Sequence, residues 1–135
     1  MNLTNQLSET LAIIYGVGEP MGGCTLTVDD ATNWLASLNP PRPFCLVTDW
    51  HWLDLEVSEK DRQKLEAAGM QPAVILADKV VFDSRGRFAT GHWVRSTLLV
   101  EYREGCLFET WNTRYVLMGT GRRKTTTPAA LGRIQ

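Results

Sequence analysis

The sequence predicts a single α+β domain: an antiparallel sheet of about four strands, led by a long C-terminal β-hairpin, with two to three short helices packed on one face. Three observations lead there. The chain has 135 residues, 44% of them hydrophobic and 21% charged, which suits one globular domain able to bury a core without disulfides or metals. Helix-capping signals are concentrated in its first half, whereas β-branched and aromatic runs dominate the second. Residues 88–120, FATGHWVRSTLLVEYREGCLFETWNTRYVLMGT, then read as two strands around a glycine turn.

In chain order, Leu3, Leu7, Leu11 and Ile14 make an apolar helical stripe that Gly16 stops. The following GVGEPMGG resembles a phosphate-cradling loop in glycine content only. It follows a helix, its spacing departs from GxGxxG and it lacks a Walker lysine, so it reads as a flexible connector. Thr27 with Asp30 resembles a capping box, opening a helix over residues 28–38 that Asn39-Pro40-Pro41 ends. Residues 43–55, PFCLVTDWHWLDL, form a strand that puts Asp49 and His51 on one face and Trp50 and Trp52 on the other. Ser58 with Asp61 caps a charged surface helix over 59–68, closed by Gly69. Pro72 opens a buried strand, AVILADKVVFD, with a break expected at Asp78-Lys79, and Asp83-Ser84-Arg85-Gly86 is a turn. The domain is expected to span residues 1–121, and 122–135 to be a basic, flexible tail.

The hairpin register follows from its turn. A two-residue Glu104-Gly105 loop needs positive φ at glutamate, whereas a three-residue Arg103-Glu104-Gly105 loop needs it only at the glycine. The latter sets Tyr102 opposite Cys106 and even-numbered residues on one apolar face: Val94, Leu98, Val100 and Tyr102 against Cys106, Phe108, Val116 and Met118. That face is interrupted by Ser96, Thr110, Asn112 and Arg114. On the reverse face Trp93 opposes Tyr115, Arg95 opposes Thr113 and Thr97 opposes Trp111. The alternative is a break of the second strand at Asn112-Thr113, giving three strands.

The run GHWVRSTLLVEYREGCLFETWNTRYVLMGTGRR, with PFCLVTDWHWLDL upstream, resembles a family of small uncharacterised proteins of pseudomonads and their phages. The resemblance extends from Gly16 to Arg123. It implies an accessory gene of a phage or prophage and carries no activity.

Charge is lopsided: residues 1–83 hold 12 acidic and 5 basic side chains (net −7), whereas 84–135 hold 3 and 9 (net +6). Such a basic half meets phosphates, an acidic protein or the acidic half of a second copy. Cys24, Cys45 and Cys106 are too few and too scattered for a disulfide framework and read as buried, inert thiols. No apolar run reaches the roughly 20 residues that cross a membrane, and MNLTNQLSET has no signal-peptide pattern, so the expectation is a cytoplasmic protein with no membrane partner.

Catalysis has little support. The histidines are His51 and His92, nothing resembles GxSxG, and Cys45 lies too far along its strand to touch His51. Asp49, His51, Asp54, His92 and Asp83 are the groups a metal-assisted hydrolase would use, but they show no HExxH-like spacing; no metal or other cofactor is expected. Nucleic-acid binding would use Arg95, Arg114, Arg122, Arg123 and Lys124 beside Trp93, Trp111 and Tyr115, a mixture that grips phosphates and stacks bases. The leading expectation is a non-enzymatic module that binds a host protein, or itself as a homodimer, through Trp93, Arg95, Thr97, Trp111, Thr113 and Tyr115. Tryptophan beside arginine is the composition of interface hot spots.

Overall fold

The computed structural model describes residues 7, 8, 10–13 and 16–134. Its sheet has eight strands and is mixed, which corrects the expectation of about four antiparallel strands. The α+β class and the single domain stand. In chain order the elements are β1 (Glu19–Gly22), α1 (Val28–Ser37), β2 (Phe44–Leu55), α2 (Glu59–Ala67), β3 (Ala73–Asp83), β4 (Val94–Arg95), β5 (Glu101–Arg103), β6 (Leu107–Glu109), β7 (Arg114–Leu117), β8 (Thr120–Thr126) and α3 (Pro128–Gly132).

β2 is the axis. Along one edge it pairs antiparallel with β3. Along the other it pairs in parallel, first with β7 over Phe44–Val47 and then with β8 from His51 to Leu55. The change of neighbour falls at Asp49, which has φ +51°. This residue reverses the side-chain alternation: Cys45 and Val47 point to the same side as Trp50 and Trp52, and all four belong to one buried cluster. The pairing with β3 passes this point without a change of register, Thr48 opposite Lys79 and Trp50 opposite Ala77. β3 carries an extra residue at a bulge opposite Leu46 and Val47, which bends and twists the pair. It is not broken at Asp78-Lys79 but runs through them as an exposed stretch.

The curl turns the sheet into a half-barrel. β4 pairs with β3, the chain beyond it bonds on to β3 through Ser96 N–H to Ile75 O and Leu99 N–H to Ala73 O, and Val100 N–H reaches Glu109 O. β5, β6 and β7 then lead back to β2. The concave face encloses Val47, Trp50, Trp52, Ile75, Leu99, Phe108 and Leu117. The convex face carries the helices in two patches. Ala31 and Leu35 of α1 cover Phe44, Leu46, Leu107 and Val116. Ile13, with Ala130 and Leu131 of α3, covers Leu53, Leu55, Val74 and Leu76.

Local signals hold for the two central helices. Thr27 Oγ accepts from Asp30 N–H and Ser58 Oγ from Asp61 N–H, each satisfying a donor the first turn leaves free. α2 buries none of its residues, in keeping with its charged sequence. Of the expected N-terminal stripe, Leu3 and Ile14 lie outside the described residues. Leu7 and Leu11 are exposed, and Ile13 is the side chain that enters the core. The glycine-rich segment is partly strand: its EPMG is β1.

The long hairpin is overturned. The Glu104-Gly105 turn takes positive φ at both residues (58° and 68°), and Tyr102 opposes Phe108, with Arg103 opposite Leu107. The register of this turn differs from the predicted one by two positions, a full period of the pleat, but the even face is divided. Tyr102 and Phe108 face the concave cluster, whereas Cys106, Val116 and Met118 face the convex one, because β6 pairs with β7 even-to-odd (Phe108 opposite Tyr115). The second strand breaks at residues 110–113, as the alternative expected near Asn112-Thr113, but the first strand is divided as well, so the stretch holds four strands, β4 to β7, and not three. Thr110 causes the break: its hydroxyl accepts from Thr113 N–H (3.1 Å) and donates to Thr113 O (3.2 Å), competing with the ladder. The expected pairs Trp93–Tyr115, Arg95–Thr113, Thr97–Trp111 and Ser96–Asn112 therefore do not form. The supposed flexible tail holds β8, which lies between β1 and β2, and then α3, capped by Thr127 with Pro128 in its first turn.

Trp50 and Gly121 supply a test of this architecture. A Cβ on Gly121 would lie 2.3 Å from the Trp50 ring, whereas one on Gly22 meets nothing within 4 Å. Gly121→Ala should cost about 1–3 kcal/mol in urea unfolding, and Gly22→Ala should stay within about 0.5 kcal/mol of the parent.

Candidate functional site

Of the ten residues predicted to bind, the fold brings four together. β4 is a sheet edge. Its side chains alternate, so Val94 and Ser96 are buried while Trp93, Arg95 and Thr97 are exposed. Gly91 (φ +86°) sets up this strand, and the bonds Gly91 N–H to Val80 O and Val80 N–H to His92 O, both 2.8 Å, anchor it to β3. Trp111 arrives from the opposite direction, at the tip of the Thr110 turn. Arg42 fixes that tip by donating to the carbonyls of Thr110 and Trp111.

Between the two tryptophans runs a groove made of two adjoining cavities. One, of about 520 Å³, is lined by Arg95, Thr97, Leu98 and Trp111 together with Leu55, Met70 and Leu131. The other, of about 530 Å³, lies against Phe88, Trp93, Arg95 and Ile134. Arg95 crosses between them and donates from Nη1 to Leu131 O at 3.3 Å. Trp93 is 47% exposed and Trp111 59%. The mainly aliphatic floor, two exposed indoles and one cation can hold an apolar side chain and a neighbouring acid.

β4 also leaves its backbone open. Val94 opposes Ala77, and Ser96 N–H donates to Ile75 O. Alternation along an antiparallel ladder then turns the N–H and C=O of Arg95 away from β3. Among the described residues no strand pairs with that edge.

The other predicted residues do structural work. Thr113 and Tyr115 are buried at 2% and 4% exposure. Arg114 is buried too, donating from Nε to Glu109 Oε1 (3.1 Å) and from Nη1 to Pro40 O (2.8 Å). Arg103 adds a 2.6 Å bond to the same Glu109 oxygen. Lys124 is buried and donates to Ile13 O at 2.8 Å; burial, followed by the nearby Arg122, lowers its pKa against the opposing pull of Asp78. Arg123 forms a two-point pair with Asp54 (2.7 and 3.1 Å) and lies 4.9 Å over the Trp52 ring. Arg122 is exposed on β8. Two ion pairs, Asp83–Arg87 and Asp54–Arg123, join the acidic and basic halves, while Arg103 and Arg114 share Glu109 within the basic half.

The candidate metal groups do not converge. Asp49 faces Lys79 at 3.9 Å, and His51 Nε2 lies 4.0 Å from Asp78. Asp54 holds Arg123, and His92 is exposed at the surface. Among the described residues no three His, Cys, Asp or Glu side chains gather as a metal site would require. Burial, then Lys124, lowers the pKa of His51 while Asp78 and Asp49 oppose them, and its Nδ1 is buried without a partner.

Sequence reasoning missed the groove's aliphatic floor. One signal was present: Thr127-Pro128 is a cap followed by a first-turn proline and predicts α3. The approach of α3 and Met70 to β4 leaves no local trace.

Residues 21–133 match the family model described as Domain of unknown function (DUF6957). The chain belongs to that family. No curated protein and no solved structure matches it. The match begins inside β1 and takes in every later element, so the DUF6957 region contains β4, Trp111 and the groove residues named above except Ile134.

The ion pairs beneath this surface are testable. Burial favours protonation of Asp83, but two side-chain bonds and one backbone bond from Arg87 outweigh it and hold its pKa below the ordinary 3.8. A depressed carboxylate pKa stabilises the fold above the unfolded value, and that stability is lost as pH falls from there through the lower folded value. Arg87→Met should flatten the pH dependence of unfolding below about pH 4, as read in urea titrations at several acid pH values. Arg114→Ala takes one of two arginine partners from the buried Glu109 carboxylate, which keeps Arg103, and should cost about 1.5–3 kcal/mol, whereas Arg122→Ala should change stability by less than about 0.5 kcal/mol.

Proposed function

We propose that the protein is a non-enzymatic binding module, a cytoplasmic accessory protein of phage or prophage type, that engages a host protein through the groove beside β4. The observation that carries this reading is the pair Trp93 and Trp111, both exposed, on either side of an aliphatic groove crossed by Arg95. Large aromatic groups left in water at two ends of a groove are anchors whose burial on binding is favourable. The open edge of β4 suits a partner segment that is extended and adds a strand, with an apolar residue seated in the groove and an acidic one at Arg95.

Binding to nucleic acid is the second reading, supported by Arg122 and Arg123 exposed on β8, the latter stacked over Trp52. It concerns a different part of the sheet, so variants separate the two. Under the groove reading, Trp93→Ala and Trp111→Ala each weaken capture of a host protein by about tenfold or more while the circular dichroism spectrum is unchanged, and Arg122→Ala has no effect. Capture that survives both tryptophan substitutions overturns it. Sedimentation of the purified chain detects a second copy as the partner, with the same tryptophan variants returning any dimer to monomer. Gel retardation of DNA or RNA that falls steeply with salt and is lost in Arg122→Ala with Arg123→Ala would favour the second reading instead.

A further inference from the structure

Two of the three cysteines stand side by side on one edge of β7. Leu117 directs its N–H and its C=O to the same side of that strand. Cys106 O accepts from the first at 2.9 Å, and Cys24 N–H donates to the second at 2.7 Å. Cys24 also bridges Met118 in parallel, so the chain at Cys24 takes over the edge of β7 just where the β5–β6 turn leaves it. Both side chains are buried on the convex face in one cluster with Val116 and Met118. Both line the same cavity, of about 360 Å³, with Trp34, Leu26 and Glu104. Adjacent positions on one edge, with both side chains turned into one cavity, suit a disulfide, which needs Cα atoms within roughly 7 Å and converging Cβ directions. Cys45 is on the concave face, in the other cluster.

We propose that Cys24 and Cys106 are a modification site, a dithiol that a peroxide converts into an intramolecular disulfide joining the segment before α1 to the β5–β6 turn. One thiolate attacks a peroxide oxygen and breaks the O–O bond, leaving a sulfenic acid; the displaced oxygen leaves as water after protonation. The second thiol attacks that sulfur, the S–S bond forms, and the sulfenic oxygen leaves as a second water. Two thiols give up two electrons and two protons, and the peroxide is reduced. Burial, then contact with Cys24, pushes the Cys106 thiol up to about 12. Thiolate is therefore scarce at neutral pH, and cross-linking is slow there and accelerates as pH rises.

The test treats the folded protein with hydrogen peroxide, alkylates with N-ethylmaleimide in denaturant, counts alkylated thiols and digests for mass spectrometry. Free thiols should fall from the three of the reduced chain to Cys45 alone. A Cys24–Cys106 linked peptide should appear, and dithiothreitol should restore all thiols. The rate should rise by roughly tenfold per pH unit in mildly alkaline solution. Cys45→Ser should keep the cross-link, and Cys106→Ser should lose it while its circular dichroism shows an intact fold. Three alkylated thiols after treatment of folded protein, a link through Cys45 or between two chains, or sulfinic acid at Cys24 or Cys106 without a linked peptide would each overturn the proposal.

Discussion

The Trp50 indole holds β2 at the point where its neighbour changes from β7 to β8. Its N–H donates to Met118 O at 3.1 Å, and its ring packs so closely on Gly121 that a side chain there has no room, while at Gly23 the Leu117 and Gly119 carbonyls leave none. Burying a tryptophan removes on the order of 200 Å² from water, worth about 5 kcal/mol, and here the same ring satisfies a carbonyl where the chain leaves β7. The positive φ of Asp49, one residue earlier, is the local strain this packing sustains.

The candidate site follows from that curl. Because the sheet bends over, its first edge after β3 is the short β4, and the turn after β6 comes round to face it. Trp93 and Trp111 are eighteen positions apart and share no ladder, yet they end at the two ends of one groove. The same curl buries Thr113 and Tyr115, which a flat hairpin would have left beside them. The concave face also supports the surface from within: Trp52 makes edge-on contacts with Tyr102 and Phe108 at 4.8 and 5.0 Å.

The cations show how charge is used. Arg87, Arg103, Arg114 and Arg123 each meet an acidic side chain at 3.1 Å or less. Three of these pairs involve buried Asp83 or Glu109, where an unpaired charge would cost several kcal/mol. A reading of net charge by halves treats such residues as solvent-facing, and the fold removes most of them from that role. Arg95 is different, since its partner is a carbonyl and it keeps its charge in the groove.

Short-range signals were legible in the sequence for a simple reason: caps and turns are settled within a few residues. Thr27, Ser58, Gly69 and the Asp83–Gly86 turn all behave as their side chains require. β2 and β3 were legible too, because a buried strand must be apolar. The sequence also singled out Trp93, Arg95, Thr97 and Trp111, through composition and not through the pairing inferred for them. Only the tertiary structure decided the number of strands, the parallel partners of β2 and the place of β8. Basic, threonine-rich β8 resembles a tail until its Lys124 finds Ile13 O and Arg123 finds Asp54. Those partners lie 111 and 69 residues away, beyond what any local pattern records. Strand pairing is a long-range choice, and here the packing of Trp50 against Gly121 makes it.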